Sequence, residues 1–331
     1  MPQADLKLTV IVCTYNPRID LLAKALRSLS TQTLSPRYYE VIVVDNNSKP
    51  PLQRELLQRL CLHKVDLQVE KRQGLVFARV AGIYAGSTDV FVFVDDDNEL
   101  APDYLENALR IAKDETNLGT FGGRCFGVLE GKVSGPKRAF LPHLGVRDVG
   151  SDDLTGSGET WGPHEPIGAG IVVRRPVAEA YAALVETHEV VGRLGRSGAM
   201  LMSGEDSLLS RIAHRMGFEC GYRPQLHLKH HITKRRLTYS YLRRLLQGQG
   251  YCFVLIETIS GRAVANPPAR ETKMLAENFM HRWSKNGLIE AVGMIYWDRG
   301  YLQALRERSG WKDSTDLLAT IHALRSAGRE A

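Results

Sequence analysis

Cysteine is scarce in this chain, with five residues at positions 13, 61, 125, 220 and 252 and no CxxC pair. Such spacing argues against a disulfide framework or a zinc knuckle and suits a reducing cytoplasm. Long apolar runs are missing too, since no window approaches the uninterrupted length needed to span a bilayer. The start, Met1-Pro2-Gln3-Ala4-Asp5, lacks the charged-then-apolar form of a secretory signal, so a cytoplasmic location is expected, on the inner face of a membrane if one is touched at all. Internal repeats and low-complexity tracts are also absent. One further absence is local. From Cys220 to Ile256 there is no Asp or Glu, but Arg223, Lys229, Lys234, Arg235, Arg236, Arg243 and Arg244 fall there.

Those seven carry the whole net charge of +6, because without them 36 basic residues face 37 acidic ones. A block of that kind faces phosphate, an anionic membrane or nucleic acid, while a solvated helix face serves Arg243 and Arg244 equally well. The rest is ordinary: 44% hydrophobic and 24% charged over 331 residues. That is enough for one large α/β domain or two smaller ones.

The first half reads as strands and helices in alternation. Leu6 to Cys13 is a β-branched run, then a loop at Thr14-Tyr15-Asn16-Pro17, then a helix with apolar spacing at Leu21, Leu22, Ala25, Leu26 and Leu29. Glu40 to Val44 gives a second strand that ends at Asp45-Asn46-Asn47-Ser48. Leu52 to Leu62 reads as helix, Val65 to Val69 as strand, Gly74 to Ala85 as helix and Val90 to Val94 as strand. Alternation of this kind implies a mostly parallel sheet with right-handed crossovers. Gly119 to Ile171 is rich in Gly and Pro and reads as mixed short strands, with a mobile loop at about 145–162. The last third reads as helical over Thr238 to Thr258 and Leu288 to Leu305, with a linker at Gly261 to Arg270 that contains Pro267-Pro268.

Chemistry concentrates where Val90-Phe91-Val92-Phe93-Val94 runs into Asp95-Asp96-Asp97. Three adjacent acids are too expensive to bury unpaired, so this strand delivers them to a mouth where a cation neutralises them. In an open α/β sheet that mouth lies at the carboxyl ends of the strands. A hard divalent ion held by few carboxylates completes its shell with water and substrate phosphates, so a metal-bound diphosphate is the best reading. A calcium loop at Asp95-x-Asp97-x-Glu99 fails, since Leu100 stands where glycine is needed. Asp45 ends a neighbouring strand and suits either a uracil-type base or ribose hydroxyl, or a turn closed by Asp-Asn-Asn-Ser. Arg72 and Arg79 flank the Gly74 turn, within reach of a phosphate or in a surface salt bridge.

In chain order the residues Val10-Ile-Val-Cys-Thr-Tyr-Asn16, Val43-Val-Asp-Asn-Asn-Ser48, Gly74 with Ala78-Arg79, Phe93-Val-Asp-Asp-Asp97, Gly168-Ala-Gly-Ile-Val-Val-Arg174 and Gly204-Glu-Asp206 follow one another. This set resembles the family 2 glycosyltransferases of the GT-A fold, over about residues 6 to 250. The resemblance implies a Rossmann-like mostly parallel sheet flanked by helices, with a small mixed sheet and a C-terminal helical segment. Its catalytic domain would span 1–235 (a nucleotide half at 6–118 and an acceptor-side half at 119–235), with a helical region at 236–331. It further implies inverting transfer from a nucleotide-diphosphate sugar, UDP-, GDP- or dTDP-linked, with Mn²⁺ or Mg²⁺. Carried over by position, Thr14, Tyr15 and Asn16 line the nucleotide pocket, Asp45 binds the base and Asp95 faces the ribose or sugar. Asp97 binds metal and Asp206 is the base, beside Glu205. Asp96 is counted with the donor site without a firm role.

Inversion needs one carboxylate opposite the leaving diphosphate, to take the acceptor's proton. No second protein acid is needed at the leaving group, in contrast with two-carboxylate glycosidases. Ser203-Gly204 and Leu208-Leu209 place Glu205 and Asp206 in the first turn of a helix. The family's downstream histidine ligand has three candidates, His227, His230 and His231, of which His230 best fits the pattern. Lys234, Arg235 and Arg236 then clamp the diphosphate, with Arg236 the best match. Two departures stand out: Val80 replaces the usual asparagine after Ala-Arg, and Asn47 replaces a frequent glycine at a position that tolerates positive φ.

Two other readings fit a metal, a diphosphate and an α/β sheet less well. A sugar nucleotidyltransferase is expected to carry a glycine- and basic-rich phosphate loop after the first strand, and Thr14-Tyr15-Asn16-Pro17-Arg18 has no glycine. A non-catalytic binding module of the same fold has no need of intact Asp95, Asp97, Asp206 and His230. On the acceptor side, Trp161-Gly162 and Gly168-Ala169-Gly170 shape the wall without naming a sugar; a glycan or lipid-linked acceptor in cell-surface polysaccharide or glycolipid synthesis is expected, and no nucleic acid. The basic block with the helix at Tyr239 to Ile256 suits peripheral contact with an anionic membrane, and packing in the core or in a homodimer explains the same apolar face. Trp283, Trp297 and Trp311 serve either use.

Overall fold

The computed structural model describes residues 6–311, apart from 195, 198, 199, 265 and 267. Met1 to Asp5, Pro267 of the linker and the last part of the helical region, 312–331, therefore lie outside the described residues.

The chain opens with β1 (Leu8–Thr14), α1 (Ile19–Ser30), β2 (Tyr39–Asp45), α2 (Arg54–Leu60), β3 (Val65–Val69), α3 (Leu75–Ala85) and β4 (Val90–Asp95). Every residue of β1 is buried, and five of the six in β4 are, as continuous apolar runs require when helices cover both faces of a sheet. Two buried clusters show those faces. Alternate residues of β1 split between them, Ile11 and Cys13 to one side, Leu8, Val10 and Val12 to the other. Helix α3 lies close to β1: a methyl added at Gly82 would fall 2.4 Å from the Ile11 side chain.

The second half adds β5 (Asn98–Leu100), α4 (Tyr104–Asp114), β6 (Leu118–Leu129), α5 (Gly135–Arg138), β7 (Leu154–Gly156), β8 (Val172–Arg174) and α6 (Arg175–Thr187). Then come α7 (Glu189–Gly192), β9 (Arg196–Ser197), β10 (Met200–Leu201), α8 (Glu205–Arg215) and β11 (Glu219–Ile232). Three helices close the described chain: α9 (Tyr239–Ile259), α10 (Glu271–Asn286) and α11 (Leu288–Glu307).

Nine strands form one sheet in the order β3-β2-β1-β4-β8-β6-β11-β5, with β7 also on β11. Strands β1 to β4 are parallel, as are β6 and β11, while β8, β5 and β7 run against their neighbours. The fold is thus the expected mixed α/β one with C-terminal helices, its mixed strands continuous with the main sheet.

The sequence reading missed β11. The run around His227 to Ile232 belongs to a 14-residue strand paired with the 12-residue β6. Nor is 145–162 free of structure: it carries β7, and the Arg147 and Cys125 backbones hydrogen-bond to one another. Helix α9 turns its second half, from Tyr251 to Ile259, into the core shared with α6, α8 and the sheet. It approaches α11 closely enough that a methyl at Gly250 or Gly300 would meet backbone at about 2 Å.

Candidate active site

Parallel pairing sets β1 and β4 side by side, with Cys13 opposite Asp95. Their carboxyl ends open into a cleft of about 380 Å³, lined by Cys13, Thr14, Tyr15, Asn46, Gln73, Asp95, Asp96, Asp97, Leu201 and Arg235 among others. The acids thus reach the mouth that the end of a buried strand predicts. Thr14 Oγ1 donates to Asp96 Oδ2, which gives Asp96 a defined partner. Tyr15 is half exposed over the cleft. Asn16, at φ 48°, joins two turns: its N–H donates to Ser48 and its side-chain oxygen accepts from Lys49 N. Burial pushes the Cys13 thiol up to about 12, so it is no nucleophile at neutral pH.

Asp97 acquires its neighbours through the strand missed in the sequence. Antiparallel pairing of β5 with β11 sets Asn98 opposite His230, and His231 N–H donates to the Asp97 carbonyl at 2.9 Å. The His230 Nε2 then lies 3.4 Å from Asp97 Oδ2. Arg236 Nη1 sits between them, donating to Asp97 Oδ2 at 2.8 Å and approaching His230 Nε2 at 2.8 Å. An imidazole that accepts at Nε2 carries its proton on Nδ1. That Nδ1 is buried beside Gly145 with no hydrogen-bond partner among the described residues.

A carboxylate oxygen and an imidazole nitrogen that converge on one cation are suitable donors for a divalent metal. They are only two: among the described residues no group of three or more His, Cys, Asp and Glu is arranged to hold an ion. The other histidines lie apart. His231 pairs with Glu99 at 3.0 Å, and His227 contacts the Gln225 carbonyl and the Phe126 ring.

The two acids of Glu205-Asp206 occupy different environments. Gly204, at φ 139° and against Ile256, turns the chain into α8, so both acids fall in its first turn as expected. Glu205 Oε1 lies 3.3 Å from Arg79 Nη1, and its other oxygen accepts from Gly204 N–H. Arg79 is 1% exposed, stacks on Phe93 and interacts with Asp95 as well as Glu205. It is therefore the internal counter-ion of the acids rather than a free arm for a phosphate.

Asp206 accepts instead from two backbone groups, Gly168 N–H at 2.9 Å and Ser207 N–H at 2.8 Å. Burial raises its pKa first, and the charge of Glu205 adds to the rise; Arg79 and the two amides oppose it. Of the acceptor-side residues, Gly168 thus touches Asp206. Gly170, at φ 77°, receives the Tyr104 hydroxyl on its carbonyl, Ala169 packs against the core, and Trp161 is 66% exposed beside Arg147.

Other sequence candidates are engaged in folding. Asp45 is fully buried, and its two oxygens accept from Ser48 N–H and Leu52 N–H, both at 2.9 Å. It closes the turn, with one buried amide on each oxygen. Arg72 bridges Glu70 and Glu186 over Phe77, outside the cleft lining. Arg236, expected on the diphosphate, holds Asp97 and His230; Arg235 lines the cleft instead. Sequence reasoning passed over Asn46 and Gln73. Asn46 bonds to the Glu70 and Arg72 carbonyls and to Gly74 N–H, so it ties the cleft wall to the start of α3. Its place next to a strand-ending acid was the available signal.

A mostly parallel α/β sheet with an acidic strand end, joined through Arg79 to an acid pair at a helix start, fits the GT-A class of transferases. The profile of Glycosyl transferase family 2 matches residues 9–181, and the chain belongs to that family. It is 37% identical over 103 residues to "Uncharacterized glycosyltransferase YwdF" of Bacillus subtilis (strain 168), a match covering 30% of this chain and 36% of that protein. It is 26% identical over 253 residues to the "Glucosyl-dolichyl phosphate glucuronosyltransferase" of Haloferax volcanii, covering 74% of this chain and 76% of the relative. Among solved structures, a mannosyltransferase from Pyrobaculum calidifontis, in complex with GDP-Man and Mn²⁺, superposes with a TM-score of 0.51 at 20% identity. That alignment covers 98% of this chain and 87% of the other and shows a shared GT-A fold. The chain is a glycosyltransferase, and no helix among its described residues is long and apolar enough to cross a membrane.

Proposed function

We propose that the protein transfers a sugar from a nucleotide-diphosphate donor to an acceptor hydroxyl with inversion, Asp206 acting as general base. The observation that carries this is the contrast inside Glu205-Asp206. Glu205 is paired with buried Arg79, whereas Asp206 accepts from two backbone N–H groups and has a raised pKa. A base poised nearer to neutrality transfers protons more efficiently. In the proposed step Asp206 takes the acceptor proton as that oxygen bonds to the anomeric carbon. The bond from that carbon to the diphosphate breaks, and its electron pair leaves with the phosphate.

Asp97 and His230 would hold Mn²⁺ or Mg²⁺, with Arg236 displaced from between them. Bound there, the ion supplies charge stabilisation to the leaving diphosphate. Asp95 and Asp96, with Thr14 and Tyr15, line the space for the nucleotide and sugar, and Asn16 fixes the turn that follows them. Arg235 offers the cleft a cation toward the phosphates. The lipid-linked substrate named for the archaeal relative, together with the exposed Trp161 beyond Asp206, supports a glycan or lipid-linked acceptor in surface polysaccharide or glycolipid synthesis.

The test is a screen of UDP-, GDP- and dTDP-sugars by thermal shift with Mn²⁺, followed by Asp206→Asn. The variant should keep the donor-induced shift and lose about 10²- to 10⁴-fold in transfer rate. Near-wild-type turnover removes Asp206 as the base. For the parent enzyme, the acid limb of kcat/KM should lie above the ordinary Asp range, because activity falls as Asp206 protonates and its pKa is raised.

A further inference from the structure

A second cavity is larger than the cleft. A groove of about 580 Å³ runs between the first halves of α9 and α11 and is closed at one side by α5. Its walls are apolar, with Phe140, Leu242 and Leu246 at the base and Tyr239, Ile289 and Val292 at the lip. These last three are 62%, 45% and 46% exposed, and Leu288, Met280 and Trp283 nearby are about half exposed as well. A contiguous apolar surface of this kind on a folded chain marks an interaction site.

Charge says what covers it. Of the segments that build the groove, 131–147 and 220–256 contain no acid, and the α11 segment 288–296 contains one, Glu290, which accepts from Asn286. Cations stand at the rim instead: Lys137 lies over the Tyr239 ring, Arg243 over Tyr296, and Arg138 and Lys285 are exposed close by in sequence. A second copy is a poor occupant, because a two-fold interface sets each patch against itself and would bring cation rim onto cation rim. Nucleic acid matches the cations but has no apolar counterpart for Leu288, Ile289 and Val292. An anionic bilayer matches both, with apolar side chains entering the acyl boundary and Lys and Arg at the headgroups.

We infer that this groove is a membrane-docking surface and that the protein sits peripherally on anionic lipid through α5, α9 and α11. The cleft lies next to it. Arg235 of the cleft precedes Tyr239 of the groove by four residues, and Leu201 of the cleft packs into the same small core as Phe140 and Leu246. Docking therefore brings the mouth of the cleft to the lipid surface.

The full chain should float with vesicles of phosphatidylcholine mixed with phosphatidylglycerol, remain behind with phosphatidylcholine alone, and be released by salt. Ile289→Asp combined with Val292→Asp should weaken vesicle binding at least tenfold with an unchanged melting temperature, since both side chains are already about half exposed. Arg138→Glu and Arg243→Glu should each cost about fivefold or more, the worth of one cation at such a surface. Hydrogen exchange on the unaltered protein supplies a readout free of mutation: vesicles should slow exchange over 135–140 and 288–296. Equal binding to neutral and anionic vesicles, or no protection in those segments, overturns the proposal. So does a concentration-dependent doubling of mass that Ile289→Asp abolishes, which assigns the groove to a second copy.

Discussion

The two sides of the sheet are built by different rules. From β1 to β3 each strand pairs with its neighbour in sequence across a short crossover, and β4 returns to lie parallel on the other side of β1. On the β6–β11 side, two long strands about a hundred residues apart in sequence lie parallel, with β5 and β7 added antiparallel at their flanks. The first side ends in residues whose polar groups are spent on turns: Asp45 on two amides, Asn16 on Ser48 and Lys49, Asn46 on the start of α3. The second side brings His230 beside Asp97 and Gly168 against Asp206. The local side shapes the cleft and carries its acids; the long-range side sets their neighbours.

That contrast breaks hardest at the acid pair. Glu205→Ala leaves Arg79 charged and 1% exposed without its carboxylate, which should cost about 3–5 kcal/mol of stability. Chemical denaturation checks this, and a loss below about 1 kcal/mol means that Asp95 alone compensates the guanidinium. Next comes His230→Ala, which should weaken Mn²⁺-dependent nucleotide binding about 10- to 100-fold, the scale on which metal-site partners act. Calorimetry with and without EDTA reads it, and an unchanged metal dependence takes His230 out of the site.

Asp45→Ala should act in the opposite sense, on folding and not on the donor. Two buried amides lose their acceptor, so roughly 1–3 kcal/mol of stability should go while nucleotide affinity stays within about twofold. A large loss of affinity with little change in stability restores the base-binding role. The smallest effect belongs to Arg72→Ala. Arg72 itself is about half exposed in its pairs with Glu70 and Glu186, so less than about 1 kcal/mol is expected and donor affinity should not move.

Legibility in the sequence followed the same divide. Strand β3 matches its expected span, α3 starts at Leu75 directly after Gly74, and α8 opens on Glu205-Asp206, because apolar spacing and helix-start residues are local signals. Positive φ at Asn47, where glycine is frequent in the family, was likewise readable. Strand β11 was not. Its histidines, lysine and arginine mask a β pattern, and its pairing with β6 and β5 has no local signature. The contacts of Arg236 were hidden for a related reason. A basic residue after a strand suggests a phosphate partner, and only the packed structure shows that Asp97 and His230 reach it first.

By itself, then, the sequence determined the alternating α/β architecture, the acidic mouth at Asp95-Asp96-Asp97 and the helix start that presents Asp206. Each of these rests on periodicity or on the cost of burying charge, both of which act over a few residues. Tertiary structure alone decided how neighbouring, chemically similar groups divide their work. It chose His230 over His227 and His231 for Asp97, set Glu205 against Arg79, and gave Asp45 to a turn. Such choices depend on which hydrogen-bond partner arrives across the sheet, and residues far apart in the chain meet only once the long strands have paired.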